Sequence, residues 1–368
     1  MLTIIFYAFI AVVAIQLFYY LIVFGKFSFA KPQTSTPKRI PISVIVCAKN
    51  EEENVTKFIP LLAEQNYPDY EIILIDDASS DNTLEVFEEF EKQYPNIRLV
   101  KVQNNETFWG NKKFALTLGI KAAKNEYLLF TDADCYPTSK EWIKEMSSQF
   151  TMSKTIVLGY GAYEKVAKSF LNKIIRFETM LTAVQYFSWA KMGKPYMGVG
   201  RNLAYKKEEF FNVNGFIDHM KIRSGDDDLF INQASHAKNT TICFTPESFT
   251  FSESKKSFKA WFEQKRRHVS TANFYKPFDR MQLAIFYISQ FLFFLFAILL
   301  LSFQFNWMII VPIVVGRYLF TWISLGYSAN KLREKDVMYW YPIIEIILIF
   351  TQMNIFITNS FSKPVHWK

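Results

Sequence analysis

Cysteine is scarce in this sequence, and its glycines form no phosphate-binding pattern. The 368 residues include 3 cysteines, Cys47, Cys135 and Cys243, which are far apart and form no CxxC or histidine-containing metal motif. This spacing disfavours a disulfide framework and a structural zinc site. Neither GxGxxG nor GxxxxGK[ST] follows the first strand-like run. A dinucleotide-dependent dehydrogenase and a P-loop NTPase are therefore disfavoured as well.

Charge is missing from the first long apolar run. Residues Leu2 to Phe24 carry no charged side chain, and a helix of this length crosses about 30 Å of hydrocarbon. The run predicts a transmembrane helix over residues 1–25, with a linker over 26–40. A cleavable signal peptide is the alternative, because Ser28 to Ala30 resembles a cleavage site, but no basic segment precedes the run. Basic residues follow it, which predicts that the rest of the chain is cytoplasmic.

Three further apolar runs predict a membrane region of about three helices over residues 281–368. The runs are Leu283–Phe303, Trp307–Tyr327 and Trp340–Phe361. The first two predict helices that cross and return, with a charged cytoplasmic loop at Asn330 to Asp336. Glu345 weakens the third run, so a position in the membrane interface is its alternative. For Arg317, a side chain that snorkels to the lipid headgroups and a functional charge are both open.

The net charge of +8 is compatible with two kinds of partner, nucleic acid and anionic lipid. Many of the basic residues lie beside the apolar runs, and no nucleic-acid-binding module is recognised. We therefore expect a membrane surface as the partner and no nucleic acid.

The stretch between the apolar regions, residues 41–254, alternates predicted strands with predicted helices. The strands are Ile42–Cys47, Tyr70–Ile75, Ile97–Val102 and Tyr127–Phe130, and the helices between them include one that ends at Leu62 and one over Lys112–Ala123. This alternation predicts an α/β domain with a mostly parallel, Rossmann-like sheet covered by helices on both faces.

Polar clusters follow three of these strands. The clusters are residues 48–51, 76–81 and 132–134. Ligands of such sheets bind outside the carboxyl ends of the strands. Asp132 and Asp134 are two residues apart in an extended segment, so they could reach one divalent cation and its bound phosphates. An acidic turn is the alternative. Asp77 could accept hydrogen bonds from the base or ribose of a nucleotide.

Seven short motifs stand in a fixed order along the chain. They are Ser43–Glu51, Asp76–Thr83, Lys112–Leu116, Thr131–Asp134, Gly198–Tyr205, Ser224–Leu229 and Gln264–Arg267. Together they resemble the inverting glycosyltransferases of family 2, which have the GT-A fold. One apolar helix before the domain and several after it resemble the arrangement of ceramide glucosyltransferase-like enzymes and of polysaccharide synthases.

The resemblance implies a role for individual residues. The implied contacts with a nucleotide-sugar are Ala48, Asn50, Glu51, Asp77, Lys112, Asp132, Gln264 and Arg267. The implied ligands of Mg²⁺ or Mn²⁺ are Asp134 and Asp132. The implied catalytic base is Asp226, with Asp227 as the alternative because three consecutive aspartates leave the register open. Gly225 stands where the family has Glu, and His268 stands where the family has Trp.

Two of these motifs also have structural interpretations. Ser224 to Asp228 is typical of an N-cap before a helix over Leu229–Ala237. Lys255 to Tyr275 mixes aromatic and basic residues, which predicts an amphipathic helix on a membrane surface within residues 255–280. Its alternative is a helix that closes the domain with a basic face in solvent.

The expected function is that of a metal-dependent inverting glycosyltransferase in the cell membrane. The expected donor is a UDP-sugar, and the acceptor is a hydroxyl of a lipid, a lipid-linked group or a saccharide at the cytoplasmic face. A processive polysaccharide synthase is the alternative enzyme. A membrane scaffold that keeps the fold without the reaction is the alternative outside enzymes.

Overall fold

The computed structural model describes residues 1–32, 39–103, 112–222 and 224–362. The described strands are β1 Ile42–Ala48, β2 Tyr70–Asp76, β3 Ile97–Lys101, β4 Tyr127–Asp132, β5 Cys135–Pro137, β6 Ile156–Leu158, β7 Gly161–Tyr163, β8 Leu203–Lys206, β9 Thr240–Ile242 and β10 Thr250–Ser252. The described α-helices are α1 Leu2–Leu17, α2 Gly25–Ser28, α3 Glu52–Ala63, α4 Thr83–Gln93, α5 Lys112–Ala122, α6 Trp142–Ser148, α7 Phe170–Lys191, α8 Lys207–Asn212, α9 Asp228–Ala234, α10 Phe258–Thr271, α11 Pro277–Ser302, α12 Trp307–Lys331 and α13 Tyr341–Phe361. Much of the predicted linker, residues 33–38, lies outside the described residues, as do residues 363–368.

A mixed sheet forms the centre of the α/β part. Within the described residues it has seven strands in the order β3-β2-β1-β4-β8-β6-β9. The four predicted strands pair in parallel, whereas β8 is antiparallel to both β4 and β6. Ala48 pairs with Asp76, and Cys47 pairs with Asp132, so the carboxyl ends of β1, β2 and β4 lie at one level. The predicted mostly parallel sheet is confirmed, with β8 as the exception.

Both faces of the sheet are buried, as the apolar strands predict. Val44, Val46 and Leu74 pack against α3 and α4 on one face. Ile45 and Ile73 alternate with them and pack with α5 and α7 on the other face. Because successive side chains of a strand point to opposite faces, strands that are apolar throughout require cover on both sides.

A second sheet joins two distant parts of the chain beside β4. Its three described strands have the order β5-β10-β7, and β5 begins at Cys135, directly after Asp134. β10 pairs with β5 and with β7, which ends at Tyr163. This small sheet therefore brings Tyr163 to the side of the sheet edge where Asp132 and Asp134 lie.

Several element ends differ from the predictions. Helix α9 begins at Asp228 and ends at Ala234, because Asp227 accepts a hydrogen bond at its start and Asn239 donates one to the Ala234 oxygen at its end. Helix α10 begins at Phe258, since Ser257 caps it by accepting a hydrogen bond from the Ala260 amide. In both cases a polar side chain next to the helix fixes its length.

Four helical segments of the described residues are long and apolar enough to cross a membrane. They are Leu2–Ser28, Pro277–Ser302, Trp307–Lys331 and Lys335–Phe361. The first passes through a π-helical turn and continues three residues beyond the predicted end at residue 25, because Phe24 and Phe27 are buried against the rest of the molecule. The predicted loop from Asn330 is also shorter, since α12 extends to Lys331.

Arg317 lies inside this group of helices and does not snorkel to their ends. Its guanidinium pairs with both carboxylate oxygens of Glu345, and it donates to Gln16 Oε1 at 2.6 Å and to the Tyr341 hydroxyl at 3.1 Å. Of the two alternatives for Arg317, snorkelling is therefore wrong, because side chains from α1 and α13 supply the partners that water or headgroups would otherwise provide.

Candidate functional site

Two loops at the carboxyl ends of β1 and β2 form one wall of the candidate site. The Asp77 amide donates to the Ala48 oxygen at 2.9 Å. Asn50 has a left-handed backbone with φ of 55°, and its Oδ1 accepts from the Ser80 amide at 2.7 Å. The Glu51 amide donates to Thr83 Oγ1 at 2.9 Å. The side chain of Asn50 and the amide of Glu51 thus hold the two loops together.

The two loops of this wall carry two acidic side chains, Asp77 and Glu51. Burial raises the pKa of the Asp77 carboxyl, and it also raises the pKa of Glu51, whose Oε2 accepts from Asn54 Nδ2 at 2.6 Å. Carboxylates with little water around them gain from hydrogen-bond donors, which a ribose or a base can supply. Asp77 and Glu51 are therefore two carboxyl groups at this wall that can accept such hydrogen bonds.

The carboxyl end of β4 carries a group that can hold a metal ion. The ligand atoms of Asp132, Asp134 and Cys135 lie within 4.8 Å of one another. Burial and the neighbouring charge of Asp132 raise the pKa of Asp134, and the Cys135 thiol donates to Asp134 Oδ1 at 3.3 Å. Two close carboxylates that repel each other favour a divalent cation between them. The donor set fits Mg²⁺ or Mn²⁺ through its carboxylate oxygens.

Lys112 joins the β4 carboxylates to the acidic run before α9. Its Nζ lies 2.7 Å from Asp132 Oδ1 and 3.1 Å from Asp226 Oδ2. Burial favours the protonated carboxyl of Asp226, but the adjacent ammonium outweighs this effect and lowers the pKa of Asp226. The same two carboxylates raise the pKa of Lys112 despite its burial. Asp226 is therefore held ionised at neutral pH.

The three consecutive aspartates have three different surroundings. Asp227 accepts from the Gly200 amide through Oδ2 and from the Asp228 amide through Oδ1, both at 2.7 Å. Burial and the charges of its two neighbours raise the pKa of Asp227 to about 7. Asp228 accepts from the hydroxyls of Thr271 and Tyr275. Asp226 is thus the aspartate that pairs with Lys112, while Asp227 caps α9 as the structural interpretation predicts.

Asp226 and Asp227 open onto one small cavity at the end of β4. Its lining includes Cys47, Lys112, Thr131, Asp132, Asp226 and Asp227. The structure thereby brings three of the predicted site residues, Lys112, Asp132 and Asp226, into direct contact.

The residues predicted on α10 lie at a different edge of the site. Gln264 Nε2 lies 3.5 Å from the Tyr163 hydroxyl. The guanidinium of Arg201 lies over the ring of Tyr163, 4.4 Å from the ring centre, in a cation–π contact. Burial lowers the pKa of Arg267, which is half-buried on the same helix. Gln264 therefore reaches the second sheet at β7, which β10 separates from Cys135 on β5.

Two basic residues of the site were not predicted individually. Lys113 is buried, and its Nζ lies 2.8 Å from the main-chain oxygens of His219, Ile222 and Ser224, in the segment that leads to Asp226. Arg201 lies within the predicted Gly198–Tyr205 motif. The contacts of Lys113 and Arg201 depend on segments that are distant along the chain. The sequence signal that could have identified both residues is that each lies inside one of the seven motifs.

Comparison with known families agrees with this geometry. The model of "Glycosyl transferase family 2" matches residues 43–225. The model of "Glycosyl transferase family group 2" matches residues 141–352, which is more than half of the chain. These matches include the β1, β2 and β4 strand ends, the acidic run before α9, and α10.

Curated relatives are also glycosyltransferases by name. The chain is 33% identical over 219 residues to a poly(ribitol-phosphate) beta-glucosyltransferase of Bacillus spizizenii, covering 56% of this chain and 34% of the relative. It is 29% identical over 160 residues to a dolichyl N-acetyl-alpha-D-glucosaminyl phosphate 3-beta-D-2,3-diacetamido-2,3-dideoxy-beta-D-glucuronosyltransferase of Methanococcus voltae, covering 41% of this chain and 49% of the relative. The chain thus spans about a third and about half of the lengths of these two proteins.

One solved structure shares the fold along most of the chain. It is a mannosyltransferase of Pyrobaculum calidifontis in complex with GDP-Man and Mn²⁺, with 18% identity, a TM-score of 0.60, and coverage of 90% of this chain and 99% of that one. The predicted GT-A fold with long apolar helices is confirmed. With its family-model matches and its arrangement of strand-end carboxylates, this chain belongs to glycosyltransferase family 2.

Proposed function

We propose that the chain transfers a sugar from a nucleotide-diphosphate donor, a UDP-sugar, to a hydroxyl group of a lipid or lipid-linked acceptor, with inversion at the anomeric carbon. The observation that carries the proposal is the contact of Lys112 with both Asp132 and Asp226 at the carboxyl end of β4. This contact supports the proposal because the ionised Asp226 lies close to Lys112 and Asp132, which are suited to binding a diphosphate and its metal ion. The name of the Methanococcus relative includes a dolichyl-linked sugar phosphate, and this name together with the four long apolar helices supports a lipid acceptor.

In the proposed reaction, Asp226 acts as the general base. The acceptor oxygen forms a bond to the anomeric carbon while the bond from that carbon to the diphosphate oxygen breaks. The hydroxyl proton passes to a carboxylate oxygen of Asp226, and the electron pair of the broken bond leaves with the diphosphate. Attack from the face opposite the leaving group inverts the anomeric centre. A carboxylate that is already ionised can take this proton without losing one first.

Other residues of the site bind and orient the donor. Asp77 and Glu51 bind the nucleoside at the wall formed by the β1 and β2 loops, with Ala48 and Asn50 as part of that wall. Asp132 and Asp134 would hold Mg²⁺ or Mn²⁺, which when bound offsets the negative charge of the diphosphate. Lys112 and Arg267 add positive charge on the leaving-group side, and Gln264 contacts the nucleotide-sugar from α10.

We further propose that the four apolar helices cross the cell membrane and that the α/β part lies on its cytoplasmic face. Lys26 and Lys31 follow the first helix, which supports this orientation. The amphipathic helix α10 would then lie near the membrane surface, where a lipid-borne hydroxyl could reach Asp226.

The test is nucleotide release from a panel of nucleotide-sugars by the full chain purified in detergent. The panel is run with and without Mn²⁺ and with and without a lipid extract, and the variants are Asp226→Asn and Asp134→Asn. Asp69→Asn is the matched control, because Asp69 is exposed just before β2, at the opposite end of the sheet from the site. We expect turnover of one donor that Mn²⁺ and lipid increase and that each site variant lowers by about 100-fold or more.

Four results would contradict parts of the proposal. Equal turnover in Asp226→Asn and wild type would remove the base assignment. Turnover that is the same without a divalent cation would contradict the proposed role of a metal ion. A ladder of products in place of a single addition would favour a processive polysaccharide synthase, and folded protein with no donor binding would favour a scaffold.

A further inference from the structure

Helix α10 carries three consecutive residues that contact three different parts of the molecule. Successive residues of an α-helix are about 100° apart around its axis, so neighbours in sequence point to different sides. Gln264 reaches Tyr163 of the second sheet. Lys265 forms an ion pair of 2.6 Å with Glu178 of α7. Arg266 points toward α13, the last of the long apolar helices.

The contact between Arg266 and α13 is extensive and buried. The side chain of Arg266 is 5% exposed, and its Nε donates to Asn359 Oδ1 at 3.0 Å. One terminal nitrogen donates to the Ser362 oxygen at 2.9 Å and to its hydroxyl at 2.8 Å. The Asn359 amide nitrogen donates back to the Arg266 main-chain oxygen at 3.2 Å. Side chain and main chain of Arg266 are thus both tied to the last turn of α13 and the residue after it.

This contact depends on the shape of the guanidinium group. Arginine presents its donors in a rigid planar fork, whereas lysine has one rotatable ammonium group. A buried guanidinium is costly unless its donors are satisfied. Asn359 and Ser362 therefore fix where α10 lies along the end of α13.

The other end of α10 is tied to the acidic run. Thr271, the last residue of α10, donates to Asp228 Oδ2, and the Tyr275 hydroxyl donates to the same oxygen at 2.6 Å. Asp228 follows Asp226 by two residues. A shift of α10 would therefore move both Arg267, on the helix itself, and the segment that contains Asp226.

We propose that Arg266 and Asn359 are positioning residues for sugar transfer, and that the end of the last long apolar helix belongs to the active-site framework. The inference rests on the proposed function, in which Asp226 and Arg267 act on the donor and acceptor. The nucleoside wall is built from the β1 and β2 loops, which hydrogen-bond to each other and not to α10 in the contacts described above. Loss of the α10 contact should therefore slow transfer without weakening the binding of the nucleoside.

The test compares two asparagines of α13 in the full chain. Asn359→Leu removes both hydrogen bonds between Asn359 and Arg266, whereas Asn354→Leu changes an exposed asparagine on the same helix and is the matched control. The turnover number is measured with the donor that wild type uses, and the dissociation constant is measured for uridine, which binds without a diphosphate. A misplacement of about 1 Å can cost about 100-fold in rate, so we expect a 10- to 100-fold lower turnover number in Asn359→Leu. We expect the uridine affinity to lie within about twofold of wild type, because the contacts of the nucleoside wall do not change.

A conservative variant separates positioning from general damage. Asn359→Asp keeps the acceptor for Arg266 Nε, so we expect it to restore most of the turnover that Asn359→Leu loses. Arg266 also pairs with Glu263 at 3.1 Å. If Asn359→Leu does not fold because the buried Nε of Arg266 loses its acceptor, the double variant Arg266→Met/Asn359→Leu removes the charge and is measured instead. We expect the double variant to fold and to turn over as slowly.

The outcomes distinguish this inference from the proposed function. Full turnover in Asn359→Leu, or in the double variant, with an active wild type would overturn the inference alone. Equal losses of turnover and uridine affinity would also overturn it, since they indicate damage to the whole site. A folded wild type with no turnover of any donor would overturn the proposed function, and the inference with it.

Discussion

Lys113 donates a hydrogen bond of 2.8 Å to the main-chain oxygen of Ser224, two residues before Asp226. The same ammonium donates to the oxygens of His219 and Ile222 at 2.8 Å. A buried cation thus gathers three carbonyl groups of the segment that delivers Asp226. Replacing Lys113 with Met should leave these carbonyls without this donor and let the segment move. We expect a turnover number lower by about tenfold or more, since catalysis is sensitive to small displacements.

The measurement is steady-state kinetics of Lys113→Met beside Lys121→Met. Lys121 is exposed near the end of the same helix, so its variant removes a lysine without changing the segment. A Lys113→Met protein with normal turnover would show that the segment keeps its position without the ammonium.

His219, whose main-chain oxygen binds Lys113, should make the catalytic part sensitive to acid. Burial and the charge of Lys113 lower the pKa of the His219 imidazole from 6.5 to about 4. As the pH falls, His219 is therefore protonated at a higher pH in the unfolded chain than in the folded chain. The stability that His219 contributes is present above pH 6.5 and is lost as the pH falls toward 4, by about 2 to 3 kcal/mol at most.

His219→Gln should remove this part of the pH dependence. The measurement is the melting temperature in detergent between pH 7.5 and pH 4.5, with His236→Gln as the control because His236 is exposed. We expect a smaller acid-induced decrease in His219→Gln than in wild type or in the control. Parallel curves for all three proteins would mean that the imidazole is accessible to protons in the folded chain.

The sequence was sufficient to predict the parallel half of the sheet but not the rest. Strands such as Ile42–Ala48 are apolar on both faces, and this local pattern indicates burial without any knowledge of partners. β8 has only 4 residues and pairs antiparallel with β4 and β6, which are distant along the chain. Helix α7 was not predicted, because polar residues such as Arg176 interrupt its apolar pattern. Arg176 is satisfied by Glu334 and Asp336, which are more than 150 positions away.

The candidate site was predictable to the same degree. Strand ends placed Asp77, Asp132 and Asp134 at one edge of the sheet, because parallel strands end on the same side. The sequence left the base open between Asp226 and Asp227, since neighbouring carboxylates differ only in what surrounds them. The Lys112 contact and the helix cap distinguish their surroundings, and both depend on tertiary packing.

Asn202 should be essential for the stability of the α/β part. It is fully buried, accepts from Trp142 Nε1 at 3.1 Å, and donates to the oxygens of Tyr160 at 3.0 Å and Ser248 at 2.7 Å. Asn202→Ala would leave a buried indole donor and two carbonyl groups without this partner. We expect the free energy of unfolding to fall by about 3 kcal/mol, measured by denaturation and compared with Asn66→Ala at an exposed position.

A double-mutant cycle with Gly159 tests whether this loss arises at Asn202 itself. A Cβ added at Gly159 would lie 2.5 Å from Asn202 Cγ, so Gly159→Ala alone should also destabilise the protein. Asn202→Ala removes the clash, and the double variant should therefore be more stable than the sum of the two single effects predicts. Additive effects would mean that the two residues do not share this contact.

Glu345 and Arg317 should be required together for the assembly of the apolar helices. Both are fully buried, and they pair with each other while Arg317 also contacts Gln16 and Tyr341. Glu345→Ala would leave a guanidinium without its counter-charge among apolar helices. Breaking a buried pair on one side costs about 3–5 kcal/mol, whereas replacing both partners with apolar residues of similar size is often neutral. We therefore expect Glu345→Ala to melt at a lower temperature than Arg317→Met/Glu345→Met in detergent.

Arg280→Met is the control, because Arg280 is exposed at the start of α11, and we expect it to melt like wild type. A double variant as unstable as Glu345→Ala would show that the ionic pair itself, and not the avoidance of an unpaired charge, holds the helices together.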